Sequence, residues 1–132
     1  MQPNTITLAV DTANSGSTTN KAYDRHEELV NRTTYSGPDH SFSTVNTMQL
    51  YRTNPVRSGS FLGAAKTSVK FTKAVTVASA EGEDTSFPLI GEVSFSIPVG
   101  TDVAIVKELR QTILALLDRD DIMDPLHNQG AI

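Results

Sequence analysis

The chain has no cysteine and no tryptophan, and its aromatic residues are five phenylalanines and three tyrosines in 132 positions. Without cysteine there is no disulfide framework, no thiolate zinc site and no thiol nucleophile, which excludes a disulfide-stapled secreted scaffold and thiol redox chemistry. An apolar fraction of 38% with so few aromatics is thin material for the core of a 14.2 kDa single domain. A fold that finishes its core against a second copy of itself fits that shortage. Long apolar runs are missing too: the longest purely aliphatic one is ILALL, Ile113 to Leu117, far too short to span a bilayer. The opening MQPNTITLAVDTANSGS has neither the basic start nor the apolar stretch of a signal peptide, so no membrane partner is expected.

Charge is scarce in one sign over one region. The net charge of −4 argues against an anion-binding protein when taken as an average. Residues 41–80, however, carry Arg52, Arg57, Lys66, Lys70 and Lys73 and no acidic side chain. A basic middle in an acidic frame suggests that one face meets an anion.

Periodicity supplies the architecture. TITLAV, Thr5 to Val10, alternates and is followed by the turn-rich DTANSGSTTN, so an N-terminal β-hairpin is expected with its return strand near Lys21 to Arg25. HEELVNRTTYS reads as strand because NRTTY is β-biased. In SFSTVNTMQLYR, residues 41–52, Met48 and Leu50 share one side while Thr47, Gln49 and Tyr51 share the other. Lys66 to Val77 alternates most clearly: Val69, Phe71, Val75 and Val77 oppose Lys66, Ser68, Lys70, Thr72 and Thr76. After EGED at 81–84, EVSFSIPV puts Val93, Phe95, Ile97 and Val99 inward and Glu92, Ser94 and Ser96 outward. At Thr101 the period changes to 3.6. Thr101 or Asp102 caps a helix striped by Ile105, Val106, Leu109, Ile113, Leu116 and Leu117, and DIMDPLHN forms a second short helix. Strands first and helices after give an α+β domain, one antiparallel sheet with a helical layer on one face. The helix stripe either covers the chain's own sheet or reaches over a partner's.

Chemistry-bearing motifs are few. The stretch GSFLGAAKTSVKFTKAV is not a nucleotide phosphate loop, because two alanines separate Gly63 from Lys66 and a strand follows instead of a helix. His26, His40 and His127 have no paired spacing for a metal. Asp118, Asp120, Asp121 and Asp124 lack the glycine and closing glutamate of a calcium loop. No catalytic arrangement, metal, cofactor or small-molecule substrate is expected. What is left is a strand face: Lys66, Ser68 and Lys70 can track phosphates. The neighbouring acid-free row Thr47, Gln49 and Tyr51 offers a ring on which bases stack, and Glu92 and Ser94 extend the face.

These residues carry a family resemblance. KTSVKFTKAVTVASAEGED and EVSFSIPVGTDVAIVKELRQTILALLDRDDIMDPLHNQGAI resemble the coat proteins of single-stranded RNA bacteriophages, the leviviruses, in the order of their strands, capped turn, leucine-ended amphipathic helix and short second helix. The resemblance implies one coat-protein domain over 1–132: an N-terminal hairpin (1–25), a five-stranded antiparallel sheet (26–99) and two helices (101–127). It further implies an interlocked homodimer with a continuous ten-stranded sheet, closed by Val106, Leu109, Ile113 and Leu116. Such dimers build an icosahedral shell, so the chain's place is the virion, reached from the host cytoplasm. Its RNA partner is the viral single-stranded genome, bound through Thr47, Gln49, Tyr51, Lys66, Ser68, Lys70, Glu92 and Ser94, and in the family an RNA hairpin is often bound to repress translation. A family position that often carries a stacking aromatic is Ile90 here, the loop from Thr53 to Ala65 is longer than usual, and the loop from Ala78 to Phe87 is expected at symmetry axes with EGED as an acidic cluster open to calcium. The alternative function is a cellular dimeric RNA-binding module on the same sheet that forms no shell.

Overall fold

The computed structural model describes residues 2–128. It contains β1 (Thr5–Val10), β2 (Thr19–Glu28), β3 (Arg32–Ser36), β4 (Asn46–Thr53), β5 (Ala64–Ala78) and β6 (Asp84–Pro98), followed by α1 (Val103–Leu117) and α2 (Asp120–Asn128). All six strands form one antiparallel sheet in chain order, β1 to β6. Every neighbour in the sheet is therefore a neighbour in sequence, joined by a hairpin or a loop.

The strand count departs from the expected hairpin plus five-stranded sheet. β2 spans ten residues and pairs with β1 on one side and β3 on the other, with a register shift between Arg25 and Glu27. The hairpin is thus the edge of the sheet and not a separate layer. HEELVN does not continue into β3, because Leu29 and Arg32 exchange backbone hydrogen bonds across Val30 and Asn31 in a tight turn. The strand expected over 41–52 starts at Asn46, since Ser41 to Thr44 close a turn on each other. The loop expected over 78–87 shrinks to 79–83: fifteen-residue β5 and β6 pair along their whole length, from Ala64–Pro98 to Ala78–Asp84. Ser79 closes that turn, its Oγ accepting the Glu81 and Glu83 N–H groups.

The registers sort the side chains onto two faces. The apolar face carries Ile6, Leu8, Tyr23, Tyr35, Met48, Leu50, Val69, Phe71, Val93, Phe95 and Ile97 at matched positions. Its buried centre is small: apart from Gly63, only Tyr23, Tyr35, Met48 and Thr33 are buried among the described residues. Tyr35 is fully covered, its hydroxyl donates to the Pro3 carbonyl at 2.6 Å, and burial pushes its pKa above the ordinary tyrosine value. Thr33 Oγ1 accepts from Arg52, which also donates to the Leu29 carbonyl at 2.7 Å and so clamps the β2–β3 turn to β4.

α1 is capped by Asp102, whose carboxylate accepts the Ala104 N–H at 3.0 Å. It lies on the apolar side, where Val106 and Arg110 border a cleft with Leu50, Val69, Phe95 and Ile97, and its far end is held by Asn14, which donates to the Asp118 carbonyl at 3.0 Å. No described residue of either helix is buried. Leu109, Leu114, Leu116 and Leu117 stay about half exposed, as do Phe87 and Leu89 of β6. The accessible surface is 9900 Å², against about 6800 Å² for a compact monomer of this mass. Roughly 3000 Å² of surface per chain is therefore left uncovered by its own fold.

One close approach fixes the core. The Tyr23 ring crosses Gly37 to reach Phe71, edge to face at 5.9 Å between centroids. A Cβ on Gly37 would lie 2.7 Å from Tyr23 Cε1 and 2.8 Å from Asn46 Oδ1. Gly37→Ala is expected to cost about 1–3 kcal/mol by forcing this packing apart, read as a lower urea midpoint at fixed protein concentration. An unchanged midpoint would mean that the ring does not occupy that position.

Candidate nucleic-acid interface

The opposite face of the sheet is polar and continuous. Register matches Gln49 with Lys70 and Lys70 with Glu92, then Tyr51 with Ser68 and Ser68 with Ser94, and Thr53 with Lys66 and Lys66 with Ser96. Thr47 begins a further row through Thr72 to Ile90. All eight residues singled out in the sequence, Thr47, Gln49, Tyr51, Lys66, Ser68, Lys70, Glu92 and Ser94, thus stand on one face, the one that the apolar core does not use. Five of them, Tyr51, Lys66, Ser68, Glu92 and Ser94, border one shallow groove of about 220 Å³ together with Thr53 and Ser96.

The side chains are set up differently. Tyr51 donates its hydroxyl to Gln49 Oε1 at 2.6 Å, so the ring lies along β4 and the Gln49 amide nitrogen stays free to donate. Neither Lys66 nor Lys70 forms a salt bridge among the described residues, although Lys70 faces Glu92 across the β5–β6 pair. Spaced two residues apart, the lysines stand about 7 Å from each other along the strand. Two unpaired cations flanked by hydroxyls suit a row of anionic oxygens.

The basic middle of the chain does not form one patch. Arg52 and Lys73 are matched with apolar-face residues, Thr67 and Leu89, and so lie on the other side of the sheet. Arg57 sits in the β4–β5 loop and donates to the Gly59 carbonyl. Composition alone could not make that division; the alternation of β4 and β5 does. β3 adds residues to the polar face beyond those eight. Arg32, Thr34 and Ser36 are matched with Tyr51, Gln49 and Thr47 and share their face. Arg32 pairs with Glu27 at 3.2 Å, and its buried Nε has no partner among the described residues. The alternation of RTTYS carried that signal, once β3 was separated from the turn before it.

The histidines stay apart. His40 Nδ1 accepts the Asn46 N–H at 3.0 Å and serves the β3–β4 loop, while His127 of α2 lies near Tyr23 and Phe71. Among the described residues no group of three or more His, Asp or Glu side chains could hold a metal ion, the acidic turn at 81–84 included.

No protein-family model matches the chain, and no curated protein does either. Solved structures share its fold. The virus-like particle of bacteriophage AVE019 aligns with a TM-score of 0.75 at 21% identity, covering 96% of this chain and 95% of that one. The virus-like particle of Wenzhou levi-like virus 4 gives 0.64 at 24% identity over 76% of this chain and 68% of the other. The bacteriophage EMS014 coat protein gives 0.63 at 10% identity over 89% and 74%. The chain therefore shares an α+β fold, here a six-stranded antiparallel sheet followed by two helices, with these solved structures.

Tyr51 is partly exposed on the polar face, while Tyr23 and Tyr35 are buried. Brief treatment with tetranitromethane is expected to nitrate Tyr51 first. Earlier modification of either buried tyrosine, located by peptide mass, would contradict the assignment of faces.

Proposed function

We propose that this chain is a structural coat protein of a single-stranded RNA phage: it dimerises, assembles into a closed shell and binds the viral genome on the polar face of its sheet. The observation that carries this reading is the 9900 Å² of accessible surface, roughly 3000 Å² beyond a compact monomer of this mass. That excess exceeds the ~800 Å² per partner of a standard interface and suits an obligate assembly. The uncovered surface is also of the right kind, since it includes the helix stripe and the apolar residues Phe87 and Leu89.

In this reading two copies meet through β6, the long open edge of the sheet, and the helices of each copy cover the open apolar face of the other. Val106, Leu109, Ile113 and Leu116 are the helix residues that make this closure. Two six-stranded sheets joined in this way give twelve strands, not the ten implied by the family resemblance. The polar faces then form one surface turned toward the interior of the shell. Lys66, Lys70 and the partly free Arg32 neutralise phosphates there, Tyr51 stacks on a base, and Gln49, Thr47, Ser68 and Ser94 offer donors and acceptors to base edges and sugars. Glu92 is the acid of this row and orients Lys70 from across the strand pair. The chain does no covalent chemistry and acts in the virion after assembly in the host cytoplasm; repression of translation follows if one hairpin of the genome binds this face far more tightly than the rest.

Purified protein is expected to elute as large particles with nucleic-acid absorbance and to appear as uniform shells in negative stain. A small species at every concentration, with or without RNA, would sink the shell and favour the stand-alone RNA-binding module. For the binding face, Lys66→Ala with Lys70→Ala should weaken binding to single-stranded RNA and reduce the slope of log affinity against log salt by about 0.7 for each phosphate no longer neutralised. Lys73→Ala, on the apolar side of the same strand, should leave both unchanged; an equal weakening by Lys73→Ala would refute the division of faces.

A further inference from the structure

Antiparallel order puts successive connections at alternate ends of the sheet. Residues 11–18, 37–45 and 79–83 lie at one end, and residues 29–31, 54–63 and 99–101 lie at the other. The first end carries Asp11, Asp39, Glu81 and Glu83 and neither lysine nor arginine, whereas the second carries Arg57 and no acid. Apolar side chains stand out at both. Phe42 is fully exposed at the first end, and Val56, Phe61 and Leu62 are half exposed or more at the second.

Both sets are held by their own loops. Around Phe42, the Ser41 N–H bonds to the Thr44 carbonyl at 2.8 Å, the His40 N–H to the Gly37 carbonyl at 3.2 Å, and the Asn46 side-chain amide to the Pro38 carbonyl at 2.6 Å. Phe61 is tied to Ser58 by two backbone bonds of 2.9 and 3.0 Å. Beneath that turn Gly63 takes a φ of +97°, and a Cβ there would lie 2.6 Å from the Val56 carbonyl oxygen, so the loop folds back on its own base. Neither Arg57 nor Asp39 forms a salt bridge among the described residues. An aromatic ring and an arginine presented by ordered loops dock with little loss of freedom, and both residue types are enriched at interfaces.

We infer that the two ends meet between copies: the Phe42 loop of one dimer docks on the β4–β5 loop of a neighbouring dimer. This rests on the shell reading above and names the contact by which one dimer joins the next. Phe42 packs among Val56, Phe61 and Leu62 of the partner subunit, and Asp39 pairs with Arg57 of the partner subunit. Asp39 is the one acid in the loop that carries Phe42. Glu81 and Glu83 stand elsewhere, because β5 and β6 continue from the Asn46–Lys73 pair to Ala78, which carries their turn roughly 17 Å further out. Like charge disfavours the other pairings, since each end against itself would set acid on acid or arginine on arginine. The contact is therefore heterologous, each copy giving one surface and receiving the other. A dimer gives and receives it twice, which extends the contact in two directions and suits a closed shell.

Charge exchange in the full chain tests the contact. Arg57→Asp and Asp39→Arg are each expected to lower the yield of particles about tenfold, with the dimer intact by native mass and its thermal midpoint unchanged. The two substitutions combined in one chain are expected to restore particles, and Phe42→Ala is expected to stop at the dimer. The chain has no cysteine, so a second variant keeps the test valid if a charge variant folds poorly: Phe42→Cys with Phe61→Cys is expected to give a ladder of disulfide-linked multimers from oxidised particles on a non-reducing gel. Full particle yield from both charge variants, recovery of Arg57→Asp by Glu83→Arg and not by Asp39→Arg, or particles of the cysteine variant that give no ladder would overturn the contact and leave the shell standing. Unaltered protein that forms no particles would overturn both.

Discussion

A single sheet with two unlike faces and too little of its own chain to cover one of them is the constraint on which the rest depends. The period of two in β4, β5 and β6 sends Met48, Leu50, Val69, Phe71, Val93 and Phe95 to one side and the lysines, serines and threonines to the other. A sheet with one apolar face needs a second layer. α1 and α2 are that layer, yet among their described residues none is buried. In the function proposed above, association resolves the imbalance, and self-assembly is then a consequence of how the apolar surface is distributed.

The same imbalance leaves the polar face free to act. Because the buried cluster lies on the apolar side, nothing in the core needs Lys66, Lys70, Tyr51 or Gln49, whose positions are set by the strands beneath. A rigid sheet sets their spacing, with Tyr51 fixed by Gln49 at 2.6 Å. Arg52 shows the contrary case: a cation from the same basic stretch, turned to the other face and engaged by Thr33 and the Leu29 carbonyl. Face, more than charge count, decides which cations can meet a ligand.

Much of this was legible in the sequence where alternation was strong. Lys66 to Val77 and Glu92 to Val99 showed their faces without help, and the change of period at Thr101 marked the helix with its Asp102 cap. Turn chemistry misled where it competed with pairing: the acids and glycine of EGED and Pro88 suggested a loop to Phe87, whereas long-range pairing with β5 extends β6 back to Asp84. Pro88 is tolerated because its position faces the open edge, where no ladder bond within the chain is missing. The continuity of β2 from one neighbour to the next was also hidden, since a register shift at Arg25 to Glu27 breaks its alternation. That break makes the strands read as a hairpin and a separate sheet.

The most direct test of the account is hydrogen–deuterium exchange of the native protein, followed over peptides covering Leu89 to Ile97. If β6 is an interior strand of the assembly, its outward amides at Ile90, Glu92, Ser94 and Ser96 are paired and exchange as slowly as those of β4. If they exchange at the rate of an open edge while β4 stays protected, the sheet ends at β6, and closure of the apolar face by a second copy is wrong.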